Sequence, residues 1–305
     1  MKKLNYLLLS GGVIALALAL QVGTAQAVSI SPLNFELNAN PGDKLSNVVR
    51  IYNDLDSEIS VNMEVQDFVA AGERGEVLIK EGENTSYSLA KWVTLLPETF
   101  TIPPKSSQMV EFIVRAPADA EPGGHYGSVL ASISGSSTLG AVGINQKVGS
   151  LLLLNVAGEV SENLGVSDFT APAFSESGPE SLSARFTNDG TVHLKPRGFV
   201  LVKNMFGGEV VKVDLPQLNV LPQSTRKVDI PLKLGNQFGR YEATLAAIYG
   251  ASNEPISAVT VYWVIPYKLL AVYGGILLVL LVLAVRGRKR LGAAFRVLFK
   301  GEGNS

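Results

Sequence analysis

Two histidines, no cysteine and a scatter of acid pairs make up the reactive inventory of this chain, and their spacing decides what they can do. His125 follows two glycines and precedes Tyr126, while His193 stands just after the Asp189-Gly190 turn. A metal site needs ligands converging at characteristic intervals, which two distant histidines without cysteine do not offer. Asp54 with Asp56, and Glu73 with Glu76, have the residue types of a glycosidase pair, yet both stand in turn or loop contexts where solvated carboxylates are the default. Asn53, Asp54, Asp56 and Glu58 also present oxygens of the kind calcium takes, without the glycine and closing glutamate of an EF-hand loop. No serine, lysine or aspartate stands in a triad or G-x-S-x-G setting. Leu96-Pro97-Glu98-Thr99-Phe100 misses the sortase signal L-P-x-T-G by its last residue and reads as a loop before a strand. The chain is expected not to be an enzyme, with no catalytic residue, no metal and no cofactor.

Binding is the chemistry that remains. Tyr87, Trp92, His125 and Tyr126 are the candidate binding residues, Trp92, Tyr87 and Tyr126 with Phe68 as a platform on which a sugar ring could stack. The alternative is that these rings pack into a small core or edge. Tyr262, Trp263, Tyr267 and Tyr273 are expected to form an interfacial belt where a hydrophobic segment enters a bilayer.

That segment is one of two hydrophobic runs. Lys2 and Lys3, the apolar stretch Tyr6–Leu20 and Ala25-Gln26-Ala27 read as a secretory leader over residues 1–27. Leu269–Val285 is free of charge and is followed by Arg286, Arg288, Lys289 and Arg290. It reads as a single membrane helix over 266–286, with a basic cytoplasmic tail over 287–305, because excess Lys and Arg belong on the inside. The tail, in which Leu291, Phe295, Leu298 and Phe299 alternate with bases, is either a stop-transfer signal or a short amphipathic helix on the inner leaflet. The exported stretch Val28–Lys268 holds 18 Lys and Arg against 26 Asp and Glu. An acidic exported body argues against a nucleic-acid partner.

The exported region reads as short β-branched strands bounded by Gly, Pro, Asn and Asp, among them Val48–Tyr52, Ile59–Val65, Met109–Val114 and Ser128–Ile133. An internal repeat orders them. Ile51-Tyr52-Asn53-Asp54 matches Phe186-Thr187-Asn188-Asp189, Ile102-Pro103-Pro104-Lys105 matches Val220-Leu221-Pro222-Gln223, and Gly124-His125-Tyr126 matches Gly239-Arg240-Tyr241. The expected fold is all-β, two tandem immunoglobulin-like β-sandwiches over 28–158 and 159–265. The first carries an insertion within Ala70–Trp92, either a binding loop or a disordered hairpin with Trp92 in the core. Gly135–Ala141 reads as a mobile loop.

Ser29-Ile30-Ser31-Pro32 with Phe35-Glu36-Leu37, Asn40-Pro41-Gly42-Asp43, Val49–Asn53 and Glu121–Gly127 resembles the N-terminal domain of the WxL-protein-interacting family of Gram-positive surface proteins. The resemblance spans roughly Val28–Gly158. It implies a first domain that binds peptidoglycan and a second that receives another surface protein. The expected function is a membrane-anchored cell-surface adaptor for peptidoglycan or another wall glycan, for a surface protein, or for both. The alternative is an extracytoplasmic assembly chaperone that takes an extended peptide at a sheet edge.

Overall fold

Alternation of apolar and polar residues turns these segments into strands with one dry face. In a computed structural model, described over residues 27–80, 87–135, 146–233 and 238–299, the described residues form eighteen strands and one long helix. The leader, residues 81–86 and Ser136–Ala141 of the polar loop lie outside the described residues. The chain divides into two compact units, residues 1–69 with 78–160, and residues 70–77 with 161–305.

The first unit is a sandwich of two sheets. One has the order β1 (Val28–Ser31), β3 (Lys44–Asn53), β8 (Ser106–Arg115), β6 (Val93–Leu96). The other has the order β2 (Asn34–Ala39), β10 (Gln146–Val156), β9 (Gly123–Gly135), β4 (Ile59–Ala71), β5 (Glu76–Lys80), with β7 (Thr99–Ile102) also on β4. Val49 and Ile51 of β3, Val110 and Phe112 of β8, Val129 and Ala131 of β9, and Leu152 and Leu154 of β10 interdigitate between the sheets without exposure. The first strand segment crosses between layers: β1 pairs antiparallel with β3, then β2 pairs parallel with β10.

The second unit repeats this plan. β11 (Leu164–Thr170), β13 (Ser181–Asn188) and β16 (Ser224–Pro231) make one sheet. β12 (Phe174–Ser175), β18 (Glu254–Val264), β17 (Gly239–Tyr249), β14 (Arg197–Asn204) and β15 (Glu209–Asp214) make the other, in that order. The same crossing recurs: β11 pairs antiparallel with β13, then β12 pairs parallel with β18. Tyr241, Ala243 and Leu245 alternate into the core as their spacing predicts. The chain is thus an all-β protein of two immunoglobulin-like sandwiches, followed by one apolar helix, α1 (Tyr267–Phe299). Tyr267–Arg286 of α1 is long and apolar enough to cross a membrane, and its side chains face outward.

The predicted insertion is built, where it is described, from short elements. β4 runs on to Ala71 and returns as β5, and Ala90–Trp92 makes one 3-10 turn. Residues 70–77, at the tip of this hairpin, belong to the second unit.

Candidate functional site

The four candidate binding residues meet in one corner of the first unit, where residues 87–92 fold against the start of β9. Trp92 and His125 lie with ring centroids 4.3 Å apart, and Tyr87 and Tyr126 at 6.3 Å. Tyr126 donates its backbone N–H to the Tyr87 carbonyl. His125 and Tyr126 are buried, and Tyr87 and Trp92 are half-buried. Both His125 ring nitrogens point at carbonyls, Nδ1 at Ser88 and Nε2 at Glu121. Leu89 enters the core beside Gly127, whose missing side chain leaves the space it fills. One residue absent from the sequence reading holds this corner. Buried Asp67 accepts the backbone N–H groups of Leu89 and Ala90 at 2.8 and 2.7 Å, fixing the 3-10 turn that carries Trp92. Its partners lie 22 and 23 positions away, beyond any local sequence signal.

The acid sets resolve into ion pairs. Lys105 places its ammonium 3.4 Å from Asp54 and 3.3 Å from Asp56, so a lysine stands where a calcium ion would need to be. Desolvation lowers the Lys105 pKa, but the bonds to Asp56 and Asp54 more than reverse it and hold the ammonium above the usual lysine range. In the second unit, Glu73 pairs with Arg185, which also binds Asp168. The bond to Glu73, ahead of that to Asp168, raises Arg185 above its ordinary value. Among the described residues no group of three or more His, Cys, Asp or Glu converges as a metal site would require.

The expected interfacial belt is corrected at one position. Tyr262 is fully buried and stacks on Tyr241 at 5.6 Å, its hydroxyl without a hydrogen-bond partner among the described residues. Burial first, and Tyr241 second, push its pKa up to about 12. It points into the core because β18 alternates, so its neighbours Val261 and Trp263 face outward. Trp263, Tyr267 and Tyr273 are exposed.

A different surface emerges on β18. β17 accompanies this strand along its whole length, from Tyr249 opposite Glu254 to Gly239 opposite Val264. On its other side β12 reaches only Trp263 and Val264. Among the described residues, Glu254–Tyr262 therefore has no strand paired to that side. Val259 is 57% exposed and Val261 38%. The equivalent stretch of β10, Gln146–Ser150, is shorter and carries Lys147 paired to Glu64 at 2.8 Å. Charge on an edge strand discourages further pairing, whereas an apolar bare edge is a template for it.

No protein-family model matches the chain, and no curated protein matches it. Solved structures similar to it include one from a chaperone–tip adhesin complex of CFA/I fimbriae biogenesis, at 12% identity and a TM-score of 0.40, covering 77% of this chain and 98% of that one. The class 5 fimbriae chaperone CfaA is similar at 12% identity and a TM-score of 0.39, over 77% of this chain and 99% of its own. The E. coli chaperone DraB is similar at 15% identity and a TM-score of 0.35, over 76% of this chain and 96% of its own.

Proposed function

We propose that this chain is a non-enzymatic, membrane-anchored protein of the cell surface that holds an extended segment of another surface protein by strand addition to β18. The observation that carries this is the nine-residue stretch Glu254–Tyr262, paired on one side only among the described residues and bearing exposed Val259 and Val261. Main-chain hydrogen bonds along such an edge supply affinity, and alternate side chains supply register. Pro255 near its start is tolerated at an edge, where an N–H can be dispensed with. In this reading the leader exports the sandwiches, α1 anchors them, and the basic residues after Val285 stay inside. The reading is that of an assembly chaperone or receptor for unpaired strands. The aromatic corner, in which His125 and Tyr126 are buried, supports the peptidoglycan role that the family resemblance implies less than this edge supports strand addition.

The test is selection of peptides from a random display library on the full-length protein in nanodiscs, followed by amide exchange with and without a selected peptide. Alternating apolar peptides that protect Glu254–Tyr262, and that fail on a Val259→Lys/Val261→Lys variant, are the expected result. Peptides that protect other strands, or retention on insoluble peptidoglycan unaffected by the double change, would sink the reading.

A further inference from the structure

The sandwich of the second unit gathers four exposed large apolar side chains at one end. Phe206 is 88% exposed, Phe174 and Phe238 are 69% each, and Met205 is 56%. Strand register places all four beside the point where the chain leaves the sandwich. Phe174 pairs across from Trp263, and Gly239, next to Phe238, pairs with Val264. Asn204, next to Met205, pairs with Tyr241, and the Met205 sulfur lies 3.3 Å from where a Gly239 side chain would begin. Only Ile265 and Pro266 then separate β18 from α1, a reach of at most about 10 Å across three residue steps.

The turn that carries Phe206 is held in position. The Asn204 side-chain oxygen accepts the N–H groups of Phe206 and Gly208, and Gly207 takes a φ of +82°, so the β14–β15 turn presents Phe206 on a fixed tip. The start of α1 is fastened to the same end, by Ile265 N–H to the Ser175 carbonyl and by Lys268 to Glu176. A sandwich tip facing water gains nothing from four unpacked apolar side chains, and patches of this kind mark interaction sites. Aromatic and apolar side chains at headgroup depth are stabilised there.

From this geometry we infer that Phe174, Met205, Phe206, Phe238 and Trp263 dip into the outer leaflet of the membrane that α1 crosses, seating the second sandwich end-on upon the lipid. The occupant is lipid because the patch is continuous with the start of the apolar helix. The inference rests on the reading that α1 spans a bilayer. It gives the tip a role that single-pass anchoring alone does not require, since a helix holds a domain near the surface without seating it.

The chain has no cysteine, so full-length single-cysteine variants can be labelled with a polarity-sensitive fluorophore in proteoliposomes. Phe206→Cys and Phe238→Cys report the tip. Ser252→Cys, in the β17–β18 turn at the far end of the strands, about 33 Å away at 3.3 Å per residue, reports the aqueous side. Leu277→Cys reports the helix. The expected result is a blue-shifted, iodide-shielded probe at 206 and 238, quenched by lipids labelled near the headgroup, with 252 open to iodide and 277 quenched by lipids labelled at mid-depth. Probes at 206 and 238 as open to iodide as 252, with 277 still deep, would overturn the seating while leaving the anchor intact. A probe at 277 open to iodide would remove the anchor and the seating together.

Discussion

Asn53 and Asn188 occupy the same place in the two sandwiches and make matching bonds, Asn53 with one carbonyl more. Each ends the third strand of its unit, β3 or β13, buried, and turns its amide on the loop that follows. Asn53 Nδ2 donates to the carbonyls of Ser57, Ile102 and Pro103, and its oxygen accepts Leu55 N–H. Asn188 Nδ2 donates to those of Val192 and Val220, and its oxygen accepts Gly190 N–H. Lys105 and Gln223, the next matched pair, share positive φ values of 53° and 52° and both donate to the carbonyl of the matched aspartate, Asp54 or Asp189. The asparagine is therefore a latch between β3 or β13 and the loop before β8 or β16, copied with the module.

Replacing either latch leaves buried carbonyls without donors, a cost of about 3 kcal/mol. Asn53→Ala should destabilise the first unit and Asn188→Ala the second. Trp92 and Trp263 are the two tryptophans, one in each unit. Urea denaturation of single-tryptophan variants followed by fluorescence should show each change at its own reporter. Equal loss at both reporters would mean that the latches act on one cooperative whole.

Asp67→Ala should cost about 2–3 kcal/mol, the scale of two hydrogen bonds to a charged acceptor, because Leu89 and Ala90 lose their acceptor. The Trp92 emission should shift to the red as residues 88–92 loosen, while strand content by far-UV dichroism stays the same. An unshifted Trp92 would show that Leu89 burial alone holds the turn.

Tyr262 gives an alkaline prediction. Its folded pKa of about 12 lies above the usual tyrosine value of 10, so the fold favours the protonated phenol. The stability this contributes is complete below about pH 10 and is lost as pH rises towards 12. Tyr262→Phe should flatten stability between these values. At neutral pH it should be neutral or slightly stabilising, since the buried hydroxyl makes no hydrogen bond among the described residues. A loss above about 1 kcal/mol at pH 7 would point to a partner for that hydroxyl.

Val259→Lys/Val261→Lys should leave folding within about 0.5 kcal/mol, because both side chains are exposed at an edge. The unmodified protein in detergent should self-associate at high concentration through this edge, and the double variant should not, as judged by sedimentation velocity. Undiminished association in the variant would place the sticky surface elsewhere.

The sequence carried the fold further than the site. β-branched runs announced the strands, and Asn53 with Asn188, or Pro104 with Pro222, revealed the duplication because a latch or turn demands a residue type at a fixed place. Pairing across sheets leaves no such trace. That β12 stops at two residues and bares β18 depends on where the chain crosses between layers, and the exposure of Val259 reads in sequence like any other valine in a strand. The aromatic corner was found by residue type, but its burial depended on Asp67 pulling residues 88–90 inward from more than twenty positions away. Tyr262 was drawn into the membrane belt by its proximity to α1, and the alternation of β18 overrules that proximity.

The crossing of the first strand between layers also sets how each sandwich bears a load. Pulled from its two ends, each unit strains a pair of parallel strands in opposite directions, so their hydrogen bonds shear together instead of unzipping one by one. The first unit resists with six register pairs between β2 and β10, the second with only two between β12 and β18. Tension along the chain to α1 therefore opens the second sandwich first. β12 slips from Trp263 and Val264, and the stretch of β18 without a partner strand lengthens.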